Sequence, residues 1–121
     1  MAIQWFPGHM NKAKKAIAER AKSVDMVIEM LDARMPASSE NPLLAQLSKG
    51  KPKLKILNKQ DLADPERTKI WLEHYNSRPD TRAIALDSSE TGAHGKITQA
   101  CRAMIPHRQG IEKPLRVLIC G

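Results

Sequence analysis

Residues 53–61 read Lys-Leu-Lys-Ile-Leu-Asn-Lys-Gln-Asp, and this stretch predicts how the chain folds. Its first part, 53–57, is a short run of apolar residues interrupted by lysine, which is typical of a β-strand. Asp64 and Pro65 follow closely, and they predict a helix start, because Asp caps a first turn and proline suits the first helical position. A strand followed by a turn and a helix favours a βαβ unit with parallel strands.

The same alternation of strand and helix extends in both directions along the chain. Nearly continuous apolar runs suit strands that are buried on both faces of a sheet. The predicted class is therefore an α/β fold with a parallel sheet. The predicted elements are a helix over 10–22, a strand over 23–32, a helix from Asn41-Pro42 to Gly50, the strand over 53–57, a helix from Asp64-Pro65 to about Tyr75, a strand over 82–86, a loop over 88–95, a helix over 96–105, a polar connector over 106–114 and a strand over 115–120.

The composition is that of an ordinary globular chain, with 121 residues of which 41% are hydrophobic and 27% are charged. This length favours one domain with its own core. No apolar run reaches the length of a membrane span, and the first residues lack a signal pattern, so we expect a cytoplasmic protein without a transmembrane segment. Cys101 and Cys120 then fit as reduced, buried residues, and their spacing predicts no metal site.

The net charge of +7 favours a polyanionic partner such as RNA. Aromatic residues make up only 3% of the chain, which disfavours a surface on which single-stranded bases stack. The predicted first helix is the candidate RNA-facing surface, although a lysine-rich helix is also an ordinary solvated face. Its candidate contacts are Lys12, Lys14, Lys15, Arg20 and Lys22.

The Asn58-Lys59-Gln60-Asp61 string at the end of a strand predicts guanine recognition. An ionised Asp61 has two acceptor oxygens, which match the N1–H and exocyclic amine of guanine. Adenine lacks that donor pair and would leave a carboxylate unsatisfied. Asn58 can reach the purine edge, and the stem of Lys59 can lie against the base. The alternative is a plain surface turn, in which Asn and Asp are common.

Segments 3–10, 32–36, 58–61 and 118–121 together resemble the family of circularly permuted GTPases called ribosome biogenesis GTPase A. They read Ile-Gln-Trp-Phe-Pro-Gly-His-Met, Asp-Ala-Arg-Met-Pro, Asn-Lys-Gln-Asp and Leu-Ile-Cys-Gly, and their order is that of the family's N-terminal half. The strings are far more specific together than any one of them is by itself.

The resemblance implies a three-layer, P-loop GTPase-like (Rossmann-like) parallel sheet that is circularly permuted and truncated. Residues 1–121 would be the N-terminal part of the G domain, with the guanine motifs before the phosphate loop and 106–114 as the connector. Strand 115–120 would lie beside 24–32, followed by 53–57 and 82–86. Gly121 would then begin a phosphate-binding loop.

The resemblance also implies roles for individual residues. Ser88 and Ser89 would form a second base-contacting loop through backbone N–H groups, although the family more often has Ser-Ala and a plain turn is the alternative. His9 would orient the attacking water, where the alternative is an exposed turn. Asp32 and Arg34 lie at the carboxyl end of a predicted strand, where they could brace the nucleotide pocket, support the His9 segment or form only a strand-end salt bridge.

The implied ligands are GTP or GDP, with Mg²⁺ in the intact protein, and the implied partners are the large ribosomal subunit and its RNA. Because no complete GxxxxGK[ST] sequence is present, we expect these 121 residues alone to bind nucleotide weakly and to hydrolyse GTP negligibly. Two other classes stay open: a stand-alone basic RNA-binding α/β module and a flavodoxin-like interaction domain.

Overall fold

The computed structural model describes residues 2–6, 19–20, 22–40, 42–87, 91–104 and 116–120, with the backbone only for 2–6, 43 and 47. Residues 19–20 and 22–23 are helical, as predicted for the end of the first helix. In chain order the other elements are β1 (Ala2–Phe6), β2 (Met26–Asp32), α1 (Pro36–Ser39), α2 (Pro42–Leu47), β3 (Lys53–Asn58), a 3₁₀ turn (Gln60–Leu62), α3 (Pro65–Asn76), β4 (Thr81–Ala85), α4 (Ala93–Met104) and β5 (Arg116–Cys120).

The five strands form one parallel sheet in the order β1-β5-β2-β3-β4. This confirms the predicted order, in which β5 lies beside β2 and β3 and β4 follow. In the register of β2 with β3, Asp32 lies opposite Asn58. The carboxyl ends of the strands therefore meet at one edge of the sheet, where open α/β folds place their ligands.

The sheet is covered on both faces, which confirms the layered α/β class. Side chains alternate between the two faces of a strand, so Leu54 and Ile56 of β3 face α4, where they pack with the buried Cys101. Leu57 of the same strand faces the other side and packs with Tyr75 of α3. Burying one such aliphatic side chain stabilises the fold by about 1.5–3 kcal/mol.

Helix α3 begins where its capping residues predict. The Asp64 carboxylate accepts a hydrogen bond from the Glu66 amide at 3.0 Å, and Pro65 occupies the first turn. At the other end, the Asn76 side chain donates to the Ala83 carbonyl at 3.3 Å and accepts from the Ala83 amide at 2.9 Å. The side-chain carboxamide of Asn76 therefore satisfies the outward-facing backbone groups of Ala83 on β4, the last strand of the described sheet.

The structure corrects several predicted boundaries and adds two elements. Strand β2 begins at Met26 rather than at residue 23, because Ser23 still belongs to the preceding helix. Helix α4 begins at Ala93, so the predicted loop over 88–95 is wrong at its end, and Gly95 lies inside the helix. Strand β1 and the four-residue helix α1 were not predicted. The connector over 106–114 lies outside the described residues.

Candidate functional site

The loops that follow β2, β3 and β4 are joined by backbone hydrogen bonds at the carboxyl edge of the sheet. The Ala33 amide donates to the Asn58 carbonyl at 2.8 Å, which joins the end of β2 to the end of β3. The Gln60 amide donates to the Leu86 carbonyl at 3.1 Å, which joins the turn after β3 to the segment after β4. These bonds set the spacing of the three loops.

Lys59 turns the chain out of β3 and into the 3₁₀ turn. Its backbone is left-handed, with φ 62° and ψ 35°, and the Leu62 amide donates to its carbonyl at 2.9 Å. This conformation costs a non-glycine residue about 1 kcal/mol or more, so the surrounding hydrogen bonds must hold it. The turn leaves Asn58 half-buried at the strand end and the Lys59 and Asp61 side chains exposed.

The Asn58 and Asp61 side chains are candidates for contact with a ligand. Neither forms a hydrogen bond or an ion pair with another residue that the structure describes. As an ionised carboxylate, Asp61 has two oxygens that can each accept a hydrogen bond. Two parallel N–H groups on a planar ligand would satisfy them together.

Asp32 is held tightly beside this loop. Its Oδ1 accepts from the Arg34 amide at 2.9 Å and from Arg34 Nε at 3.0 Å, and its Oδ2 accepts from Arg34 Nη2 at 2.8 Å. The Lys59 Nζ lies 3.9 Å from the same Oδ2. The hydrogen bonds from Arg34, helped by the nearby Lys59 charge, lower the pKa of Asp32 to about 2. The strand-end salt bridge considered from the sequence is thus present.

The structure brings some of the predicted site residues together and does not describe the others. Asn58, Lys59 and Asp61 share one loop, and Arg20 and Lys22 are exposed. The described segment after β4 ends at Asp87 and resumes at residue 91. Ser88, Ser89, His9, Lys12, Lys14, Lys15 and Gly121 lie outside the described residues, and their roles stay predictions.

The link between Asp32 and Lys59 was missed from the sequence. Asp32 ends one apolar strand and Lys59 directly follows another, and these positions were the available signal. Their distance, however, depends on the register that places Asp32 opposite Asn58. A shift of this register by one residue would move every side chain of the strand to the opposite face of the sheet. The apolar pattern therefore specifies the register only once the fold determines which residues cover each face.

Two negative findings concern the described part of the chain. It contains no group of three or more His, Cys, Asp or Glu side chains that could hold a metal ion. The helices in these ranges are also too short or too polar to cross a bilayer.

Comparison with known proteins finds relatives over the whole chain. The chain is 38% identical over 128 aligned residues to ribosome biogenesis GTPase A of Bacillus cereus, and the alignment covers 100% of this chain and 43% of that protein. It is 35% identical over 119 residues to Short integuments 2, mitochondrial, of Arabidopsis thaliana, covering 98% of this chain and 31% of that protein.

A mammalian relative is similar over a shorter stretch. Mitochondrial ribosome-associated GTPase 1 of Mus musculus is 54% identical over 68 residues, which covers 55% of this chain and 21% of that protein. No protein-family model matches the chain. The chain spans less than half the length of the curated relatives it matches.

Proposed function

Because the chain belongs to the family of ribosome biogenesis GTPase A, we propose that it supplies the guanine-recognition part of a GTP-hydrolysing, circularly permuted G domain. The intact protein would act in assembly of the large ribosomal subunit. The observation that carries the proposal is the loop after β3, where Asn58, Lys59 and Asp61 lie together at the carboxyl edge of the sheet.

Asp61 reads the base in this proposal. Its exposed carboxylate accepts from the N1–H and the exocyclic amine of guanine, whereas adenine would leave a desolvated oxygen without a donor. Asn58 reaches the purine edge from the end of β3. The apolar stem of Lys59 lies along one face of the base while its ammonium stays in water.

The remaining parts of the proposed site lie outside the described residues. Backbone N–H groups of Ser88 and Ser89 would bind the guanine carbonyl, and they follow closely on Leu86, whose carbonyl accepts from the Gln60 amide. His9 would orient water for hydrolysis, and Gly121 would begin the phosphate-binding loop. Mg²⁺ would bind together with the nucleotide phosphates in the intact protein.

The positive charge of the chain supports ribosomal RNA as a partner. The net charge is +7, and Arg20 and Lys22 at the end of the first helical segment are exposed. With Lys12, Lys14 and Lys15, these side chains would contact phosphates of the RNA backbone without reading its sequence.

The proposal is tested by titrating the ¹⁵N-labelled chain with GDP and with ATP. GDP should shift the amide signals of Asn58, Lys59 and Asp61, and ATP should leave them in place. Asp61→Asn should then weaken GDP binding by about tenfold or more and favour xanthosine diphosphate, because the C2 carbonyl of xanthine needs a donor rather than an acceptor.

Asp64→Asn is the matched control for this experiment. It changes the net charge by the same amount, lies three residues from Asp61 and keeps the helix cap, because Asn caps about as well as Asp. It should bind GDP like the wild type. Equal shifts with GDP and ATP, or an unchanged base preference in Asp61→Asn, would contradict guanine recognition and favour an RNA-binding module that needs no nucleotide.

A further inference from the structure

We infer that Asp32 is a positioning residue for guanine nucleotide binding: Arg34 fixes the Asp32 carboxylate, and that carboxylate sets the direction of the Lys59 side chain. The inference rests on the proposed function of the loop that carries Lys59. It adds to that loop a specific residue from another strand, 27 positions earlier in the chain.

The Asp32 carboxylate is a fixed charge rather than a mobile one. Three hydrogen bonds from Arg34, at 2.8–3.0 Å, hold both of its oxygens. The Asp32 amide also donates to the Ser39 hydroxyl at 3.1 Å, which secures the backbone at the end of β2. A bidentate pair of this kind has a defined geometry, because the guanidinium is planar.

The backbone places this charge beside Lys59. Asp32 lies opposite Asn58 in the sheet, and the Ala33 amide donates to the Asn58 carbonyl at 2.8 Å. This hydrogen bond joins Asn58 to the end of β2, and Lys59 is the next residue in the chain. The position of Asp32 relative to the Lys59 backbone is therefore determined by the sheet.

The lysine side chain has only one described anchor. Asp32 Oδ2, at 3.9 Å, is the one carboxylate oxygen within 4.0 Å of Lys59 Nζ among the residues that the structure describes. The Lys59 side chain is 51% exposed and that of Asp32 is 21% exposed. A pair this exposed adds little to folding stability, but it restricts the many rotamers of a lysine stem.

Restricting the stem matters for a flat ligand. The four methylene groups of Lys59 offer an apolar surface only when the chain is extended along the base. With its ammonium drawn towards Asp32, the stem is held near the end of β2 before the nucleotide arrives. Binding then loses less side-chain entropy, which is the general advantage of a preorganised site.

A double-mutant cycle on the 121-residue chain tests the inference, with GDP as the probe and amide shifts as the readout. Asp32→Asn removes the charge and keeps the size of the side chain. It should weaken GDP binding by about two- to fivefold, the range for one exposed ion pair. Lys59→Met keeps an apolar stem without the ammonium, and in that background Asp32→Asn should have no effect on the dissociation constant.

Asp64→Asn again provides the charge-matched control. It should leave the GDP dissociation constant unchanged both in the wild type and in Lys59→Met. If Asp32→Asn does not fold, Arg34→Gln replaces it in the cycle, because it leaves the Asp32 charge but removes two of its hydrogen bonds. Weaker GDP binding that depends on Lys59 supports the inference with either variant.

The outcomes separate this inference from the function on which it rests. A wild-type chain that shows no GDP-specific shifts overturns both. A chain that prefers GDP to ATP, but in which Asp32→Asn has no effect or the same effect with and without the Lys59 ammonium, overturns only the role of Asp32.

Discussion

The pKa of the Asp32 carboxyl group is determined by its neighbours. The hydrogen bonds from the Arg34 side chain are the largest cause of its lowered pKa of about 2, followed by the bond from the Arg34 backbone. The ordinary pKa of an aspartic acid in an unfolded chain is about 3.9. Folding therefore favours the ionised carboxylate, and the free energy of unfolding must depend on pH through this residue.

The sign of that dependence follows from the lowered pKa. Above about pH 4 the ionised Asp32 stabilises the folded chain, and this contribution disappears as the pH falls towards 2. At pH 6 we expect the unfolding free energy of the wild type to exceed that of Asp32→Asn by about 0.5–1 kcal/mol, and this difference should shrink below pH 4. Urea unfolding at several pH values measures it.

Arg34→Gln is the control for this pH dependence. Arg34 is the main cause of the lowered pKa of Asp32. The unfolding free energies of Arg34→Gln and Asp32→Asn should therefore show nearly the same dependence on pH. A difference that stays constant from pH 6 to pH 2 would show that Asp32 acts through its shape rather than its charge.

Helix α3 connects the candidate guanine loop to the edge of the sheet. It begins after Asp61 with an Asp64 cap and ends at Asn76, whose side chain binds both backbone groups of Ala83. Between these ends, Tyr75 packs against Leu31 and Leu57 of the central strands. The cap and the packing together locate the helix, because neither a short helix nor its cap is stable without tertiary contacts.

The cap itself can be tested. Asp64→Ala should lower the free energy of unfolding by about 1 kcal/mol, because the Glu66 amide loses its acceptor. Asp64→Asn should stay within a few tenths of the wild type, since Asn is a comparable cap. Urea unfolding of the three proteins distinguishes capping from charge. If both variants lose stability equally, the charge near the helix start is the cause.

A group of charges, buried at Lys55 and Glu29 and partly exposed at its outer members, joins several parts of the molecule. Lys55 of β3 pairs with Glu29, its neighbour in register on β2, and both side chains are less than 10% exposed. Lys55 also lies 3.4 Å from Glu40, which precedes α2, and Glu40 lies 3.3 Å from Arg78 after α3. These ion pairs thus link β2 and β3 with Glu40, which lies between α1 and α2, and with Arg78, which follows α3.

Tyr75 completes this buried region. The Arg78 guanidinium lies 5.0 Å from its ring centre, and the hydroxyl is buried without a hydrogen-bond partner in the described part of the chain. Burial, with the nearby Glu40 charge, raises the pKa of Tyr75 to about 12. Polar groups in such a region restrict the register, because a slip by one residue would move Lys55 onto the apolar face under α4.

The buried pair predicts a non-additive response to mutation. Lys55→Met removes the cation that neutralises a buried carboxylate, and it should cost about 3 kcal/mol of unfolding free energy. Combining it with Glu29→Leu should recover most of that loss, since a packed apolar pair removes the cost of burying a charge. Urea unfolding of the single and double variants provides the cycle, and additive losses would contradict the interpretation.

The sequence contained most of the fold and the residues of the candidate guanine loop. Apolar runs marked β2 to β5, and the Asp64-Pro65 pair marked the start of α3, because strand periodicity and helix caps depend on residues that are close in the chain. The Asn58 to Asp61 string identified a candidate site for the same reason. Strand β1 and helix α1 were missed, and α1, with four residues, is too short to show a helical periodicity.

The tertiary structure was needed for the arrangement of those parts. Only the sheet register places Asp32 opposite Asn58, brings Lys59 within reach of its carboxylate and pairs Glu29 with Lys55. These contacts join residues 26 or 27 positions apart, and no local pattern encodes their distance. Capping and periodicity are local properties of the chain, whereas the neighbours of a strand end depend on hydrogen bonds and packing between distant segments.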